Sequence, residues 1–431
     1  MNRIVRAAYA ALGSLAETIA AHAPPGDGKV RRSFNSRRNV LERFARWGAQ
    51  HRDPSRPLLW FHAPSVGEGL QARPVIEALR ARQPRAQIAY TCFSPSAQSF
   101  AAALDVDFND VLPFDTYRAA RVALERLRPS ILVFSKLDVW PTLAEETAQR
   151  GIPLALLSAT LAPGSSRSHR LAKLVLRDAY AALDAVGAIS EDDAARLIEL
   201  GCRASAVRVT GDTRFDQVIA RAARADRGST LLEPLRSDRP TLVIGSSWPG
   251  DEREILPALT QLRRSSPRLR TIIAPHEPTR THLAPIEQWA TGAGFHSATL
   301  GSAGVATADV VIVDRVGVLG ELYALADVAF VGGGFHAAGL HSVLEPAAYG
   351  VPVIFGPHHE ASRDAGLLLA ARAARSVANS REIGDVLRHW VDDPAARGAA
   401  GAAARGVVEQ NAGATGRSVA LVEELLERGA R

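Results

Sequence analysis

One carboxylate stands where a strand should hand over to a helix. The segment His62-Ala63-Pro64-Ser65-Val66-Gly67-Glu68-Gly69 completes the apolar run that starts at Leu58. Ser65 and Gly67 suit a tight turn into a helix N-terminus, and Glu68 falls at that N-terminus. The helix dipole stabilises an acid there whatever its use; the functional reading is a general base facing a ligand cleft. Pro275-His276-Glu277 closes another strand-like run, so His276 is either a phosphate donor or a plain polar loop residue. Gly332-Gly333-Gly334-Phe335 follows an apolar strand and lets backbone approach a phosphate or sugar. It lacks the G-x-G-x-x-G spacing, and a plain turn fits it equally. In His341-Ser342-Val343-Leu344-Glu345-Pro346, Ser342 and Glu345 have the spacing of a capping box. The alternative is a helix N-terminus whose amides hold phosphate while Glu345 holds a ribose hydroxyl. His358-His359-Glu360 looks like a metal triplet, but adjacent side chains diverge and no third well-spaced ligand follows, so no metal is expected. Walker A, HExxH and GxSxG patterns are absent.

The elements that must position these groups alternate. Strands are expected at 58–62, 87–91, 131–135, 153–158, 185–189 and 207–210, separated by helical patterns such as 69–82. A strandless stretch at 222–240 reads as a linker. A second series follows at 241–245, 270–275, 310–313, 327–331 and 352–355, then a helical tail from 393. Such alternation implies an α/β fold with two doubly wound parallel sheets. Two such domains place a cleft between two sets of strand C-termini, where open α/β sheets bind ligands.

The 431 residues allow two or three domains, and 47% apolar with 22% charged residues excludes a disordered or fibrous chain. Two cysteines, Cys92 and Cys202, exclude a disulfide framework and a cysteine-based zinc site. No apolar run is long enough to span a bilayer as a helix. The net charge of +6 is local: residues 1–52 carry ten Arg/Lys against three Asp/Glu, and the rest is near neutral. That argues against a nucleic-acid-binding body. The weakly apolar first 25 residues read as an interfacial helix on anionic lipid or, equally, as a surface helix packed on the body. The stretch 23–28 breaks it, and a basic helix follows at 37–47.

Taken in order, several segments resemble the 3-deoxy-D-manno-octulosonic acid (Kdo) transferases of lipid A assembly. They are Trp60-Phe61-His62-Ala63-Pro64-Ser65-Val66-Gly67-Glu68, Phe93-Ser94-Pro95-Ser96, Pro113-Phe114-Asp115, Asp138-Val139-Trp140-Pro141, Pro275-His276-Glu277, Phe330-Val331-Gly332-Gly333, Leu344-Glu345-Pro346-Ala347-Ala348 and Phe355-Gly356-Pro357-His358. The resemblance implies a GT-B fold: two Rossmann-like domains, an inter-domain cleft and an inverting, metal-independent mechanism. It implies a CMP-Kdo donor, a lipid A precursor (lipid IVA type) as acceptor, and no cofactor. It implies that Glu68 is the catalytic base. Pro275 and His276, the loop Val316, Gly317 and Val318, and the segment Ser342, Val343, Leu344 and Glu345 would contact CMP.

Four departures from the family pattern bear on the substrates. Lys136 stands where the first Glu of a Glu-x-Glu-hydrophobic-Trp-Pro motif is expected, which inverts the local field; it can take the Kdo carboxylate or an acceptor phosphate. The chain holds only three lysines. Arg214 replaces a lysine with a different cation geometry. His341-Ser342 replaces His-Asn, and Ser246-Ser247-Trp248 replaces Ser-Thr-His. Lys136 and Arg214 join Glu68 as candidate catalytic residues.

The expected layout is a basic membrane-docking segment at 1–52, an acceptor-binding domain at 53–225, a CMP-sugar-binding domain at 235–395 and C-terminal helices at 396–431. The expected place is the cytoplasmic face of the inner membrane, held peripherally through residues 1–52 on anionic lipid, with no nucleic-acid partner. The rival readings are a paralogous GT-B transferase for another acidic sugar or acceptor, and a non-catalytic GT-B binding subunit.

Overall fold

The structure is a computed structural model that describes residues 3–22, 26, 28–337 and 339–429. Most of the breaker at 23–28 lies outside the described residues. The chain forms two compact units, Met1–Asp216 with Ala412–Arg431, and Gln217–Asn411.

The first unit holds a seven-stranded sheet: β1 (Leu58–His62), β2 (Gln87–Cys92), β3 (Phe108–Val111), β4 (Ile131–Ser135), β5 (Leu154–Ala159), β6 (Ala185–Ala188) and β7 (Val207–Val209). Their order is β3-β2-β1-β4-β5-β6-β7, and the pairings are parallel. Every residue of β1, β2, β4 and β5 is buried. Helices on both faces of a parallel sheet leave its central strands no wet side, so these strands are continuous apolar runs. The second unit repeats the plan with β8 (Thr241–Ser247), β9 (Arg270–Pro275), β10 (Ser297–Thr299), β11 (Val310–Ile312), β12 (Val328–Val331), β13 (Val353–Phe355) and β14 (Ala374–Ser376) in the order β10-β11-β9-β8-β12-β13-β14. The strand order reverses between β1 and β4 in the first sheet and between β8 and β12 in the second. Ligands of open α/β sheets bind beyond the strand C-termini at such reversals.

The unit boundaries differ from those read off the sequence. The change falls inside the helix Thr213–Arg224, ahead of the strandless stretch. Residues 1–52 do not stand apart: Val40, Phe44 and Trp47 are buried in the first core, and Phe44 packs edge-on to Trp60. The C-terminal helices divide. Pro394–Gln410 belongs to the second unit, whereas Ala414–Gly429 packs on the helix Val66–Arg82 of the first. The strands β3, β10 and β14 were not foreseen; all three are sheet edges of three or four residues.

Candidate active site

In the first unit, the helix Val66–Arg82 begins three residues earlier than expected, which makes Glu68 its third residue after the N-cap Ser65. Ser65 does not cap the helix; its hydroxyl donates to Glu68 Oε2. Lys136, just past the end of β4 and in the left-handed backbone region at φ 65°, places Nζ 3.1 Å from Glu68 Oε1. Burial alone would raise the Glu68 carboxyl, but the Ser65 hydrogen bond and the Lys136 charge outweigh it and hold the group below the usual carboxylate range. The sheet reversal thus brings together two of the three candidate catalytic residues.

The turn carrying Glu68 is braced by aromatic motif residues. Trp140 Nε1 donates to His62 Nε2 at 3.0 Å, so that nitrogen carries no hydrogen. His62 Nδ1–H then donates to Thr91 Oγ1 at 3.0 Å. Trp140 stacks on Phe93 at 5.0 Å, and the amides of Phe93 and Ser94 donate to Pro64 O. Asp115 is buried and accepts the amides of Thr142 and Leu143 at 2.9 and 2.8 Å, closing the start of the helix Pro141–Gln149. The motif pieces around Glu68 are therefore one scaffold.

Arg214, the third candidate, is tied to Asp212. Its Nε and Nη2 hold Asp212 Oδ2 at 2.9 and 2.7 Å. Asp212 also accepts from Gln71, which sits on the Glu68 helix. Burial would raise Asp212, yet the Arg214 charge and hydrogen bonds keep it low.

In the second unit, four rings meet beyond β8, β9 and β12. Trp248 lies flat between His336, at 4.3 Å and 5°, and His276, at 4.4 Å and 23°. Its Nε1 donates to His341 Nε2 at 2.9 Å, which leaves the His341 hydrogen on Nδ1. Burial, then the neighbouring His276, lower the His341 pKa. His276 is exposed, and its amide donates to Ser247 O. The buried Asp251 accepts the amides of Trp248, Gly333 and Phe335 at 2.9, 2.8 and 3.0 Å, which fixes the glycine turn against the ring stack. Gly333 has φ 92°, and a side chain there would meet Gly339 O. Sequence reasoning named Trp248 and His341 only as motif departures and missed His336 and Asp251. Their shared signal is position: each follows the C-terminal end of a strand beside the reversal, or begins the next helix.

The remaining candidates are spread along this edge. Pro275 ends β9 and is buried; Val316 is 75% exposed; Gly317 has φ 90°; Val318 packs on the second core. The capping box does not form. The short helix Leu344–Ala348 starts after Val343 with no side-chain cap, so Ser342 lies outside it. The Glu345 carboxylate pairs with Arg221 at 2.6 Å. Val343 and Leu344 side chains are fully buried, so only their backbone can reach a ligand. Among the described residues, no three His, Cys, Asp or Glu side chains converge as a metal site.

The family model of 3-deoxy-D-manno-octulosonic-acid transferase (kdotransferase) matches residues 38–217. The 3-deoxy-D-manno-octulosonic acid transferase of Bordetella pertussis is 33% identical over 401 residues, 89% of this chain and 91% of that one. That of Chlamydophila psittaci is 29% identical over 352 residues, 80% and 79% of the two chains. Among solved structures, the UDP-GlcNAc 2-epimerase of Neisseria meningitidis bound to UDP-GlcNAc is similar with a TM-score of 0.62 at 14% identity, covering 86% of this chain and all of that one. A glycosyltransferase from Rickettsia africae has a TM-score of 0.59 at 11% identity, covering 87% and 99%. These two likenesses show the fold, which is of the GT-B type. With a third of its residues shared across nine-tenths of the Bordetella pertussis transferase, the chain belongs to the 3-deoxy-D-manno-octulosonic acid transferase family.

Proposed function

We propose that the chain transfers Kdo from CMP-Kdo to a lipid A precursor with inversion, and that Glu68 is the base. The observation that carries this is the Glu68 carboxylate, held ionised by Ser65 and Lys136 at the reversal of the first sheet. The acceptor hydroxyl oxygen attacks the anomeric carbon of Kdo, and the bond from that carbon to the CMP phosphate oxygen breaks. The hydroxyl proton passes to Glu68, and CMP leaves as a phosphate monoester. His276 and the Nδ1–H of His341 donate to the leaving phosphate, aided by backbone amides at 342–345. Arg214 acts at one remove, through Asp212 and Gln71, by steadying the Glu68 helix. A donor with a single phosphate needs no divalent cation to bridge two.

Peripheral attachment to the membrane is part of this reading. On the helix Arg3–His22, Leu12, Leu15 and Ile19 are exposed at 67, 56 and 48%, and the neighbouring helix Arg170–Ala181 exposes Leu171 and Leu174 beside Arg170 and Arg177. Apolar side chains flanked by cations suit an anionic lipid surface. Not all of the basic segment takes part. Arg37 and Arg52 are buried, and Arg43 holds Asp110 at 2.6 and 2.8 Å.

Purified protein given CMP-Kdo and lipid IVA should form the Kdo-bearing lipid, and Glu68→Ala should abolish it. Folded protein without transfer would sink the reading. Lys136 favours a second reading, a transferase for another acidic sugar or acceptor; under it, Lys136→Glu would create Kdo transfer rather than destroy it.

A further inference from the structure

A cavity of about 420 Å³ lies in the first unit, lined in part by Arg37, Arg38, Arg118, Glu17, Glu42 and Phe114 and not by Glu68. The lining carries three arginines and two glutamates. One of those carboxylates, Glu17, is already near Arg118 at 3.6 Å. The helix Val40–Gln50 starts at its wall, and its N-cap Asn39 offers no side-chain cap to the first amides. An uncapped helix start beside arginines favours an anion.

Arg37 is the second, independent sign. It is 4% exposed, and its Nη1 and Nη2 donate to Ser33 O and Oγ and to Phe93 O. Its Nε is buried with no hydrogen-bond partner, and among the described residues no carboxylate reaches ion-pair distance of it. The Asp110 carboxylate acts on it from beyond ion-pair distance, and a buried cation with no direct counter-ion is costly unless a ligand supplies one. Burial lowers its pKa to about 10, which still leaves it charged near neutrality.

We infer that this cavity binds the phosphate of a phosphorylated, acylated sugar, the acceptor of the proposed transfer. The inference rests on that reading for the ligand's identity. Position supports it. The Arg37 guanidinium lies 4.1 Å from the Phe93 ring centre, and the Phe93 amide donates to Pro64 O in the turn that carries Glu68. A single residue, Phe93, thus links the phosphate cradle to the base. Arginines take the phosphate in a fork geometry, and Glu17 and Glu42 are placed to accept sugar hydroxyls. The helix Arg3–His22, which contributes Glu17 to the cavity, turns Leu12, Leu15 and Ile19 outward for the acyl chains and lipid.

The test uses the whole chain without donor. Labelled lipid IVA in detergent micelles, intact or phosphatase-treated, is titrated into the parent and into Arg38→Gln/Arg118→Gln. Arg37 is left intact because it braces the fold. The parent should bind intact acceptor at least about tenfold more tightly than treated acceptor, and the double variant should lose that difference. Parent protein that binds both forms alike, or a variant that keeps the difference, overturns the inference. So does displacement of the acceptor by phosphatidylglycerol vesicles as readily as by unlabelled acceptor, since the cavity would then hold bulk lipid phosphate. Protein that distinguishes the two forms but transfers no Kdo would overturn the proposed reaction and leave the phosphate cavity standing.

Discussion

Lys136 Nζ lies 3.1 Å from Glu68 Oε1, and the two residues follow β4 and β1, the strands between which the first sheet reverses. The pair is partly wet: the Lys136 side chain is 41% exposed and that of Glu68 17%. Solvent screens it, so its value lies in setting the charge state of the Glu68 carboxyl rather than in stability.

Removing that cation should move the acid limb of the pH profile. As the proposed base, Glu68 must be ionised to accept a proton, so activity should fall as pH drops through its pKa. Ser65 and Lys136 depress that pKa, and burial opposes them. In Lys136→Met, burial gains weight, the pKa rises and activity fails at a higher pH than in the parent. A pH profile of kcat/KM with an unmoved or acid-shifted limb would contradict this.

Glu68→Gln keeps the shape and the Ser65 hydrogen bond but removes the basic oxygen. Transfer should fall at least about a hundredfold. CMP binding, followed by calorimetry, should stay within about twofold, because the groups proposed to contact CMP lie on the second unit. Equal losses in both would mark Glu68 as structural.

Trp248→Phe preserves a flat ring between His336 and His276 but removes the N–H that His341 accepts. That hydrogen bond favours the neutral imidazole, so its loss should raise the His341 pKa towards the ordinary histidine value. Titration of the ring protons by NMR reads the shift; an unchanged midpoint would show that Trp248 does not set the tautomer.

Asp251→Asn leaves one acceptor oxygen where two serve three amides. The buried glycine turn should loosen at a cost of about 2 kcal/mol, measured by urea unfolding. Full stability would mean that the turn holds without its clamp.

Leu12→Ser/Leu15→Ser/Ile19→Ser should weaken co-sedimentation with anionic vesicles without lowering the melting temperature, since all three side chains face solvent. Unchanged sedimentation would place the membrane contact elsewhere.

The sheets were largely legible because their central strands are buried on both faces. Runs such as Leu58–His62 and Ile131–Ser135 have no polar interruption from solvent contact. β10 is half-exposed throughout and β3 only buried at its ends, so neither prints such a run. Glu68 was legible as a carboxylate after a strand. Its partner Lys136, 68 residues on, was visible only as an oddity of type, because the strand order that joins them is not written locally. The basic segment misled in a different way. Nothing in the residue type separates Arg37 and Arg52, which are buried and satisfy backbone carbonyls, from arginines that face solvent. Ser342 and Glu345 had capping-box spacing, but the helix starts one residue too late to use it.

The helix Ala414–Gly429 lies against the helix that presents Glu68, although the whole second unit separates them in the chain. On the ribosome, residues 217–411 can therefore collapse around their own sheet while the first unit still lacks a supporting wall. The helix that carries Glu68 is seated only when the segment beyond residue 411 has emerged. A chain cut short in that segment would carry an intact second unit and an unsupported Glu68 helix.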